Sequence, residues 1–397
     1  MRISLKKNKD KFLHRGYPWI FANLIDRIDG NPGRGDVVEI AEHGGRPLGR
    51  GFYHDRSLIA VRFLTRDMNR PIDEVFFRER LERAVAFRRQ AYGNTTHVRL
   101  VFSESDGLPG TIVDRYGDVL TWSTLSFGME ARREWLLDAL EQLVGPSAIV
   151  QRDDAPLREK DGLEQAVGVL RGTYEGPVEI VEDGLVFRID VMNGPKTGFF
   201  LDQREHRHSV RRFAAGRRVL DAFCADGGFG LHAAAGGAAH VDMMDTSAAA
   251  LDRARHNAER NGLSDRVSFI EADALQRLGA MAEEGTSYDL IILDPPGFAR
   301  NRRQVDQAMK AYQRINITAM QMLAPGGLLA TSSCSQAVSE DDFLKAVEYS
   351  VRKSGSRTRT LFRGFQPADH PVLSSMPETR YLKFFILQKL TDELPAA

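Results

Sequence analysis

The sequence predicts an α/β protein that ends in a doubly wound, mostly parallel sheet. From about residue 181 onward, apolar strand candidates alternate with helix candidates, which is the pattern of strands joined by right-handed crossovers. Short alternating runs separated by Gly and Pro fill residues 1–72 and predict a small β-rich domain. Residues 73–180 mix both kinds of segment and therefore predict a central α+β domain.

The composition indicates a globular chain of two or three domains, because 397 residues carry 42% hydrophobic and 27% charged side chains. The start of the chain is charged, and nowhere do eighteen apolar residues follow one another, so we expect neither secretion nor a membrane span. Two cysteines make a disulfide framework improbable, and no Cys/His cluster has zinc-ligand spacing. We expect a cytoplasmic protein without a metal.

Charge is unevenly distributed along a chain whose net charge is +0. Residues 1–70 contain fourteen Lys/Arg and eight Asp/Glu, and the stretch "KKNKDKFLHRGYPWIF" interleaves basic with aromatic residues. This mixture suits a phosphate backbone together with stacked bases, although a solvated basic face explains it about equally well. The candidate phosphate contacts are Lys6, Lys7, Lys9, Lys11 and Arg15.

The strand candidates of the last region are "RRVLDAFC", "AHVDMMD", "VSFIEAD", "YDLIILDPP", "GGLLATSSC" and "RYLKFFILQKL". Ligands of such sheets bind at the carboxyl ends of the strands. The first strand is followed by "DAFCADGGFG", which supplies Asp221, Gly227 and Gly228. Glycines let a backbone approach a ligand closely, but the spacing is not G-x-G-x-x-G and a plain tight turn remains the alternative.

The next two strand ends carry carboxylates. Asp245 follows Gly228 by seventeen residues, a position from which an acidic side chain can accept hydrogen bonds from ribose hydroxyls. Asp273, in "EADAL", is placed to contact an adenine edge. These positions predict a cofactor that contains a nucleoside.

The fourth strand ends in "LDPPGF", and the fifth delivers "TSSCS". Prolines cannot extend a central strand and they fix the backbone around Asp294. The turn could grip the polar edge of a flat base, with Phe298 available for stacking, or it could be a purely structural loop. Cys334 would lie one strand over from Asp294 if consecutive strands are neighbours in the sheet.

The quoted strand ends, together with "MMDTSAAALDRARHNAERNG", resemble the class I S-adenosylmethionine-dependent methyltransferases. More narrowly, they resemble the RlmI-type family, which methylates carbon 5 of a cytosine in large-subunit ribosomal RNA. "RGYPWIFANLID" and "GRGFYHDRSLIAVRFL" are similar to that family's RNA-binding PUA domain, and "SESDGLPGTIVDRYGD" to its central domain. The segment "NGPKTGFFLDQREHR", residues 193–207, resembles the family's cofactor- and substrate-lining segment.

The resemblance implies a PUA domain over 1–72, a central domain over 73–180 and a Rossmann-like methyltransferase domain over 181–397. It implies S-adenosyl-L-methionine as cofactor and large-subunit ribosomal RNA as partner, and it leaves the oligomeric state open, with a homodimer as one option. The implied cofactor residues are Lys196, Thr197, Phe199, Asp221, Phe223, Gly227, Gly228, Asp245, Thr246, Asp273, Ala274 and Asp294. The implied substrate residues are Gln203, Arg204, Pro295, Phe298 and His370.

The chemistry implied by the resemblance needs a thiol. Carbon 5 of cytosine is a poor nucleophile until a thiolate adds to carbon 6, and Cys334 is the candidate thiolate, which requires a lowered pKa. Asp294 would hydrogen-bond or protonate the base at its N3/N4 edge. The base that removes the carbon-5 proton is not identified. Cys224 is interpreted as a packing residue, and Gly297 stands where some RNA cytosine-5 methyltransferases carry a second cysteine.

Three other functions are weighed against this one. "DPPGF" distantly resembles an Asn/Asp-Pro-Pro-aromatic motif, so the methyl acceptor could be an exocyclic amine or ring nitrogen of adenine or guanine, a reaction that needs no cysteine. The chain could also be a catalytically inactive RNA-binding factor of ribosome assembly. A nicotinamide dehydrogenase is disfavoured by the irregular glycine spacing and by the Pro-Pro strand exit.

Overall fold

The computed structural model describes residues 1–299 and 301–391. The chain forms two compact units. Unit 1 comprises Met1–Ile180, Ile189–Leu201 and Ala368–Thr379, and unit 2 comprises Val181–Arg188, Asp202–Pro367 and the chain from Arg380 onward. Unit 1 therefore contains both of the first two predicted domains, and the boundary at residue 72 stays a prediction.

The first sheet of unit 1 has six short strands. They are β1 Arg2–Leu5, β2 Trp19–Phe21, β3 Ile25–Asp29, β4 Val37–Ala41, β5 Pro47–Tyr53 and β6 Ile59–Thr65, with helix α1 at Lys11–His14. The strand order is β2-β6-β5-β4-β1-β3. Alternating apolar side chains such as Val38 and Ile40 are buried in one cluster, as the period of two in a strand requires.

The second sheet of unit 1 has five strands, in the order β11-β10-β9-β8-β7. These are β7 His97–Phe102, β8 Thr111–Tyr116, β9 Val119–Thr124, β10 Ala148–Asp153 and β11 Ala166–Gly172. The helices are α2 Glu74–Tyr92, α3 Phe127–Glu130, α4 Arg133–Val144 and α5 Leu157–Lys160. The long helix α2 begins after Asp73, whose carboxylate accepts a hydrogen bond from the backbone N–H of Phe76 at 3.0 Å. Helices and strands share a core around the fully buried Trp122.

A two-stranded sheet follows in the chain, with β12 at Val178–Glu182 and β13 at Leu185–Ile189. Its connecting residues Asp183 and Gly184 both have positive φ, at 50° and 80°. This is the backbone that a tight turn between two strands favours.

Unit 2 contains a seven-stranded sheet in the order β16-β15-β14-β17-β18-β20-β19. The strands are β14 Arg218–Asp221, β15 His240–Asp245, β16 Val267–Glu271, β17 Tyr288–Leu293, β18 Leu323–Ser333, β19 Thr358–Gly364 and β20 Lys383–Lys389. The helices are α6 Arg204–Arg212, α7 Gly228–Ala235, α8 Ala248–Arg260, α9 Ala274–Glu283, α10 Val305–Met322 and α11 Glu340–Lys353. The first five strands pair in parallel, whereas β20 is antiparallel to both β18 and β19. The predicted doubly wound, mostly parallel sheet is confirmed.

The strand order reverses between β14 and β17, because the chain passes from β14 outward to β15 and β16 and then returns to β17 on the other side. A switch of this kind opens a crevice at the carboxyl ends of the two strands. Asp221 ends β14 and Asp294 follows β17. The fold therefore places these two carboxyl groups at the point where open α/β sheets bind ligands.

Sequence patterns identified six of the seven strands, and β19 was missed. Its sequence "TRTLFRG" lies at the edge of the sheet and is mostly exposed or half-buried. Edge strands often carry charged side chains, and such a segment lacks the apolar run that marks a central strand. Within the described residues, no helix is both long and apolar enough to cross a membrane.

Candidate functional site

The glycine-rich turn after β14 is built around Asp221. Asp221 is fully buried, and its Oδ2 accepts a hydrogen bond from the backbone N–H of Gly230 at 2.8 Å. Gly227, in the left-handed conformation at φ 85°, precedes the first turn of α7, a backbone that glycine adopts without a steric penalty. Burial, reinforced by the negative charges of Asp294 and Asp245, raises the pKa of Asp221 to about 8.

Asp245, at the end of β15, ties two turns together. Its Oδ2 accepts a hydrogen bond from the N–H of Ala225 at 3.0 Å, and its Oδ1 accepts one from Ser247 at 2.9 Å. Each carboxylate oxygen can accept more than one hydrogen bond, so these contacts leave capacity for ribose hydroxyls. Thr246 is exposed, and Phe223 packs partly buried against the core.

Asp273 caps a helix. It precedes α9, and its Oδ1 accepts a hydrogen bond from the N–H of Leu275 at 2.8 Å, which satisfies a backbone donor of the first turn. Asp273 is exposed, whereas the next residue, Ala274, is buried. Its predicted contact with an adenine would have to be made from this capping position.

Asp294 is held by a short chain of hydrogen bonds. Its Oδ1 accepts from Gln203 Nε2 at 2.7 Å and from the hydroxyl of Ser332. Gln203 Oε1 lies 2.5 Å from His206 Nδ1, and the His206 ring is buried and stacks on Phe384 at 4.2 Å. Burial lowers the pKa of His206 to about 3, so a neutral ring that donates through Nδ1 turns the amide N–H of Gln203 towards Asp294.

Cys334 lies next to the turn that begins at Asp294. Strands β17 and β18 are parallel neighbours, with Leu293 opposite Thr331, so the expectation that Cys334 lies one strand over is confirmed. Cys334 is half-buried, and its Sγ donates to the carbonyl oxygen of Pro295 at 3.9 Å. A Cβ atom at Gly297 would lie 3.6 Å from this sulfur, so glycine at this position keeps the space beside the thiol open.

A hydroxyl cluster lies behind the thiol. The Tyr312 hydroxyl is 3.0 Å from Ser335 Oγ and accepts from Ser333 Oγ at 2.9 Å. Burial raises the pKa of Tyr312. The half-buried Phe298 ring packs against Tyr312 with 4.8 Å between ring centroids, so one part of the predicted stacking surface is already used inside the protein.

Lys383, the first residue of β20, is not among the site residues that the sequence predicts. It is 2% exposed, and its Nζ donates to the carbonyl oxygens of Ser335, Val338 and Tyr381 at 2.7, 2.8 and 2.8 Å. Burial lowers its pKa to about 8. The one available signal was a lysine inside the otherwise apolar stretch "YLKFFIL", because buried lysines are rare without a partner.

The predicted segment 193–207 is divided between the two units. Lys196, Thr197 and Phe199 belong to unit 1, where Thr197 Oγ1 donates to Asp114 at 2.5 Å and the Tyr116 hydroxyl donates to the carbonyl of Phe199 at 3.1 Å. The Lys196 ammonium lies over the Phe200 ring at 4.6 Å.

Arg204 belongs to unit 2 and is buried, with its Nε 3.6 Å from Glu182. Arg207 donates to both oxygens of Glu182 at 2.6 and 2.9 Å. Although burial opposes ionisation of Glu182, the two arginines hold its pKa at about 2. Arg204 therefore takes part in a buried ion-pair cluster, and an additional contact with RNA phosphate stays a prediction.

His370 belongs to unit 1 and is also buried. Its Nδ1 lies 2.8 Å from Asp369 Oδ1, and its ring packs against Phe102 at 5.4 Å. The backbone carbonyl of Asp369 accepts a hydrogen bond from the buried Arg88 at 2.8 Å. His370 is thus part of a polar network inside unit 1.

The N-terminal basic residues are exposed, as a phosphate-binding surface requires. All five candidates, Lys6, Lys7, Lys9, Lys11 and Arg15, are exposed. Beside them, Phe12, Tyr17, Trp19 and Phe21 form a row of edge-to-face rings with centroids 6.0 to 6.4 Å apart. No group of three or more His, Cys, Asp or Glu in residues 1–299 and 301–391 is arranged to hold a metal ion.

Two protein-family models match the chain. The S-adenosylmethionine-dependent methyltransferase model matches residues 130–372, and a PUA-like domain model matches residues 3–66. A curated relative from Shewanella amazonensis, named ribosomal RNA large subunit methyltransferase I, is 43% identical over 387 residues, which is 96% of this chain and 98% of the relative.

Solved structures show the same fold at low sequence identity. A candidate SAM-dependent methyltransferase from Streptococcus mutans superimposes with a TM-score of 0.83 at 20% identity, over 98% of this chain and 100% of that one. A candidate methyltransferase crystallised in complex with SAH superimposes with a TM-score of 0.85 at 22% identity, with the same coverage.

Proposed function

Because the chain belongs to the S-adenosylmethionine-dependent methyltransferases, and within them to the ribosomal RNA large subunit methyltransferase I family, we propose that it methylates carbon 5 of a cytosine in large-subunit ribosomal RNA. The observation that carries this proposal is the contact between the half-buried Cys334 and the turn that begins at Asp294. The contact supports the proposal, because Cys334 then lies close to Asp294 at the carboxyl edge of the sheet, as a nucleophile and a base-binding carboxylate would need to.

The residues at the switch point fit S-adenosylmethionine. Asp221 Oδ1 is a fully buried oxygen without a hydrogen-bond partner in the described structure, and the glycine-rich turn contacts the other oxygen, Oδ2, through the backbone N–H of Gly230. Asp245 would hold the ribose and Asp273 the adenine. When bound, S-adenosylmethionine supplies an electrophilic methyl group.

Cys334 and Asp294 would prepare the cytosine for methylation. The Cys334 thiolate forms a bond from Sγ to carbon 6, and the electron pair of the carbon 5–carbon 6 double bond makes carbon 5 nucleophilic. Asp294, oriented by Gln203 and Ser332, would hydrogen-bond the N3/N4 edge, where charge changes as the adduct forms. Once carbon 5 carries the methyl group, loss of its proton restores the double bond and expels the thiolate.

The RNA would be held in part by the N-terminal region. The five exposed basic side chains and the neighbouring aromatic row combine phosphate neutralisation with stacking surfaces. Since the proposed substrate is large-subunit ribosomal RNA, the proposal includes action in the cytoplasm.

The test is a double-label assay with unmodified large-subunit ribosomal RNA that carries tritium at carbon 5 of its cytidines. Methylation at carbon 5 must release tritium to water in equal molar amount to the labelled methyl group taken from S-adenosylmethionine, and digestion must yield 5-methylcytidine. We expect Cys334→Ala to abolish both signals, and the matched control Cys224→Ala to retain both.

Other outcomes point to the other functions. Methyl incorporation without tritium release, with label in adenosine or guanosine, would indicate amine or ring-nitrogen methylation and make Cys334 a packed thiol. RNA binding without methyl transfer by the wild-type protein, on naked RNA and on assembling subunits, would indicate an inactive assembly factor.

A further inference from the structure

Lys383 carries a buried positive charge that lacks the usual partner. Buried lysines are normally paired with a carboxylate, but in the described structure no carboxylate oxygen lies within ion-pair distance of Nζ. The three carbonyl oxygens of Ser335, Val338 and Tyr381 accept its three N–H bonds instead. They solvate the charge with dipoles and do not neutralise it.

The register of the sheet and two hydrogen bonds bring Lys383 next to the segment that contains Cys334. Strand β20 runs antiparallel to β18, and Lys383 pairs with Ser333, the residue directly before Cys334. Two of its carbonyl acceptors, on Ser335 and Val338, belong to the segment that follows Cys334. Lys383 therefore fixes the backbone on the far side of the cysteine from β18.

The charges around this pair come from several elements. Burial lowers the pKa of Lys383, the charges of Cys334 and Glu340 raise it, and the charge of Arg380 lowers it. Glu340 is itself paired with Arg363 and Arg380, each at 2.5 Å. From α10, Tyr312 is also coupled to the Cys334 charge, and Asp294 stands at the neighbouring strand end, bonded to Ser332.

We propose that Lys383 is a positioning residue that stabilises the thiolate of Cys334, so that the buried ammonium and the half-buried thiolate form one ion pair across the end of β18 and the start of β20. Electrostatic coupling is reciprocal: a thiolate that stabilises the ammonium is stabilised by it to the same degree. As a catalytic role this rests on the proposed function of Cys334, whereas the ion pair itself does not.

The same geometry argues against Lys383 as the base that removes the carbon-5 proton. Three carbonyl oxygens accept hydrogen bonds from Nζ, and only the ammonium form can donate all three. Deprotonation would leave one carbonyl without its donor.

The test measures the thiol without RNA or cofactor. The rate at which iodoacetamide alkylates Cys334 is followed from about pH 5.5 to pH 9.5 by mass spectrometry of the peptide that contains it, in the wild type and in Lys383→Met. An ordinary thiol titrates near 8.5. We expect a wild-type midpoint below that value, and in Lys383→Met a midpoint at least about one pH unit higher, which is about a tenfold slower reaction near pH 7.

Lys389→Met is the matched control. Lys389 lies on the same strand and also donates to two backbone carbonyls, those of Met320 and Leu323, but it is six residues or about 20 Å further along. We expect its replacement to leave the midpoint unchanged, and Lys383→Arg, which keeps the charge, to return it towards the wild-type value.

The inference is overturned if Lys383→Met folds and alkylates with the wild-type midpoint, because a structural role alone would change the amplitude and not the titration. If Lys383→Met does not fold, the wild-type profile decides, and a midpoint at or above that of an ordinary thiol overturns it. A shifted midpoint without formation of 5-methylcytidine would refute the proposed function and leave the ion pair standing. Formation of 5-methylcytidine with an unshifted midpoint would support the proposed function and refute the ion pair.

Discussion

The two cysteines of this chain occupy opposite electrostatic environments within the same unit. Cys224 lies in the glycine-rich turn and is 4% exposed. Burial and the charges of Asp221, Asp245 and Asp226 raise the pKa of its thiol well above the ordinary value. Cys334 is half-buried and directly follows Ser333, the residue that pairs with Lys383 in the sheet. Three carboxyl groups act on the thiol of Cys224, whereas Cys334 has a lysine nearby in addition to the carboxyl group of Asp294.

The charged side chains that follow the strands differ from one part of this sheet to another. Carboxyl groups gather where a nucleoside and a sulfonium would be bound, and they suppress a thiolate there. Two strands away in the sheet, after β18, a lysine lies near the segment that contains the proposed thiolate. The residue type is the same in both places, and the surrounding charges decide what it can do.

The largest expected effect is a difference in reactivity between the two thiols. In the native protein near pH 7.5, we expect iodoacetamide to modify Cys334 on the order of 1000-fold faster than Cys224, because Cys224 is both buried and held protonated. The measurement is the time course of modification of each peptide by mass spectrometry. Unfolding in urea is the control and should bring the two rates together, whereas equal rates in the native protein would remove the contrast on which this comparison depends.

The second prediction concerns the carboxylate beside the reactive thiol. In Asp294→Asn an amide oxygen can still accept from Gln203 and Ser332, but the charge is lost, and we expect kcat for methyl transfer to fall by about 100-fold. Asp289→Asn is the matched control, since Asp289 lies on β17, the strand that Asp294 follows, and accepts a hydrogen bond from the backbone N–H of Arg218 at 2.9 Å. A loss of similar size in both variants would mean that Asp294 only stabilises the sheet.

The direction of the strands explains which residues of this site could be predicted from the sequence. Asp221, Asp294 and Cys334 follow parallel strands, and the carboxyl ends of parallel strands meet at one edge, so their proximity could be expected. Lys383 could not be found in this way, because β20 is antiparallel and is inserted between β18 and β19. Its first residue, and not its last, therefore lies at the edge where the parallel strands end.

The sequence patterns also could not predict the local hydrogen bonds of the strand-end aspartates. The sequence predicts Asp245 and Asp273 as cofactor carboxylates, and the structure shows that both accept hydrogen bonds from backbone N–H groups of nearby turns. A strand-end aspartate before a helix suits capping and ligand binding equally well. The sequence therefore could not separate the two roles.

The third prediction concerns Asp221, on the acidic side of the comparison. Its folded-state pKa of about 8 lies above the ordinary value of about 3.9, so the stability that it contributes is present below about pH 4 and is lost as pH rises towards 8. Asn mimics the neutral acid. We therefore expect Asp221→Asn to gain stability relative to wild type by up to about 1.4 kcal/mol per pH unit between about pH 5 and pH 7.

The measurement is the free energy of unfolding of both proteins in urea at several pH values. The difference between the two free energies is taken at each pH, so that the contributions of other titrating groups cancel. Asp242→Asn provides the control at another buried carboxylate, one that is bonded to the Tyr288 hydroxyl at 2.8 Å. A difference between wild type and Asp221→Asn that does not change with pH would show that Asp221 is ionised in the folded protein.

The smallest expected effect tests whether the orientation of the Asp294 carboxylate, apart from its charge, contributes to methyl transfer. Gln203→Leu removes the N–H that points at Asp294 and the acceptor of His206, but leaves the carboxylate and the thiol in place. We expect kcat to fall by about tenfold, with the alkylation midpoint of Cys334 unchanged, because one charge-assisted hydrogen bond contributes about 1.5 kcal/mol. Gln151→Leu is the matched control, since its buried amide donates to Asp153 at 2.7 Å in unit 1, and its activity should stay within about twofold of wild type. If Gln203→Leu also moved the midpoint, the thiolate would depend on the Asp294 network as well as on Lys383, and the division between acidic and cationic surroundings would be less sharp than the two cysteines suggest.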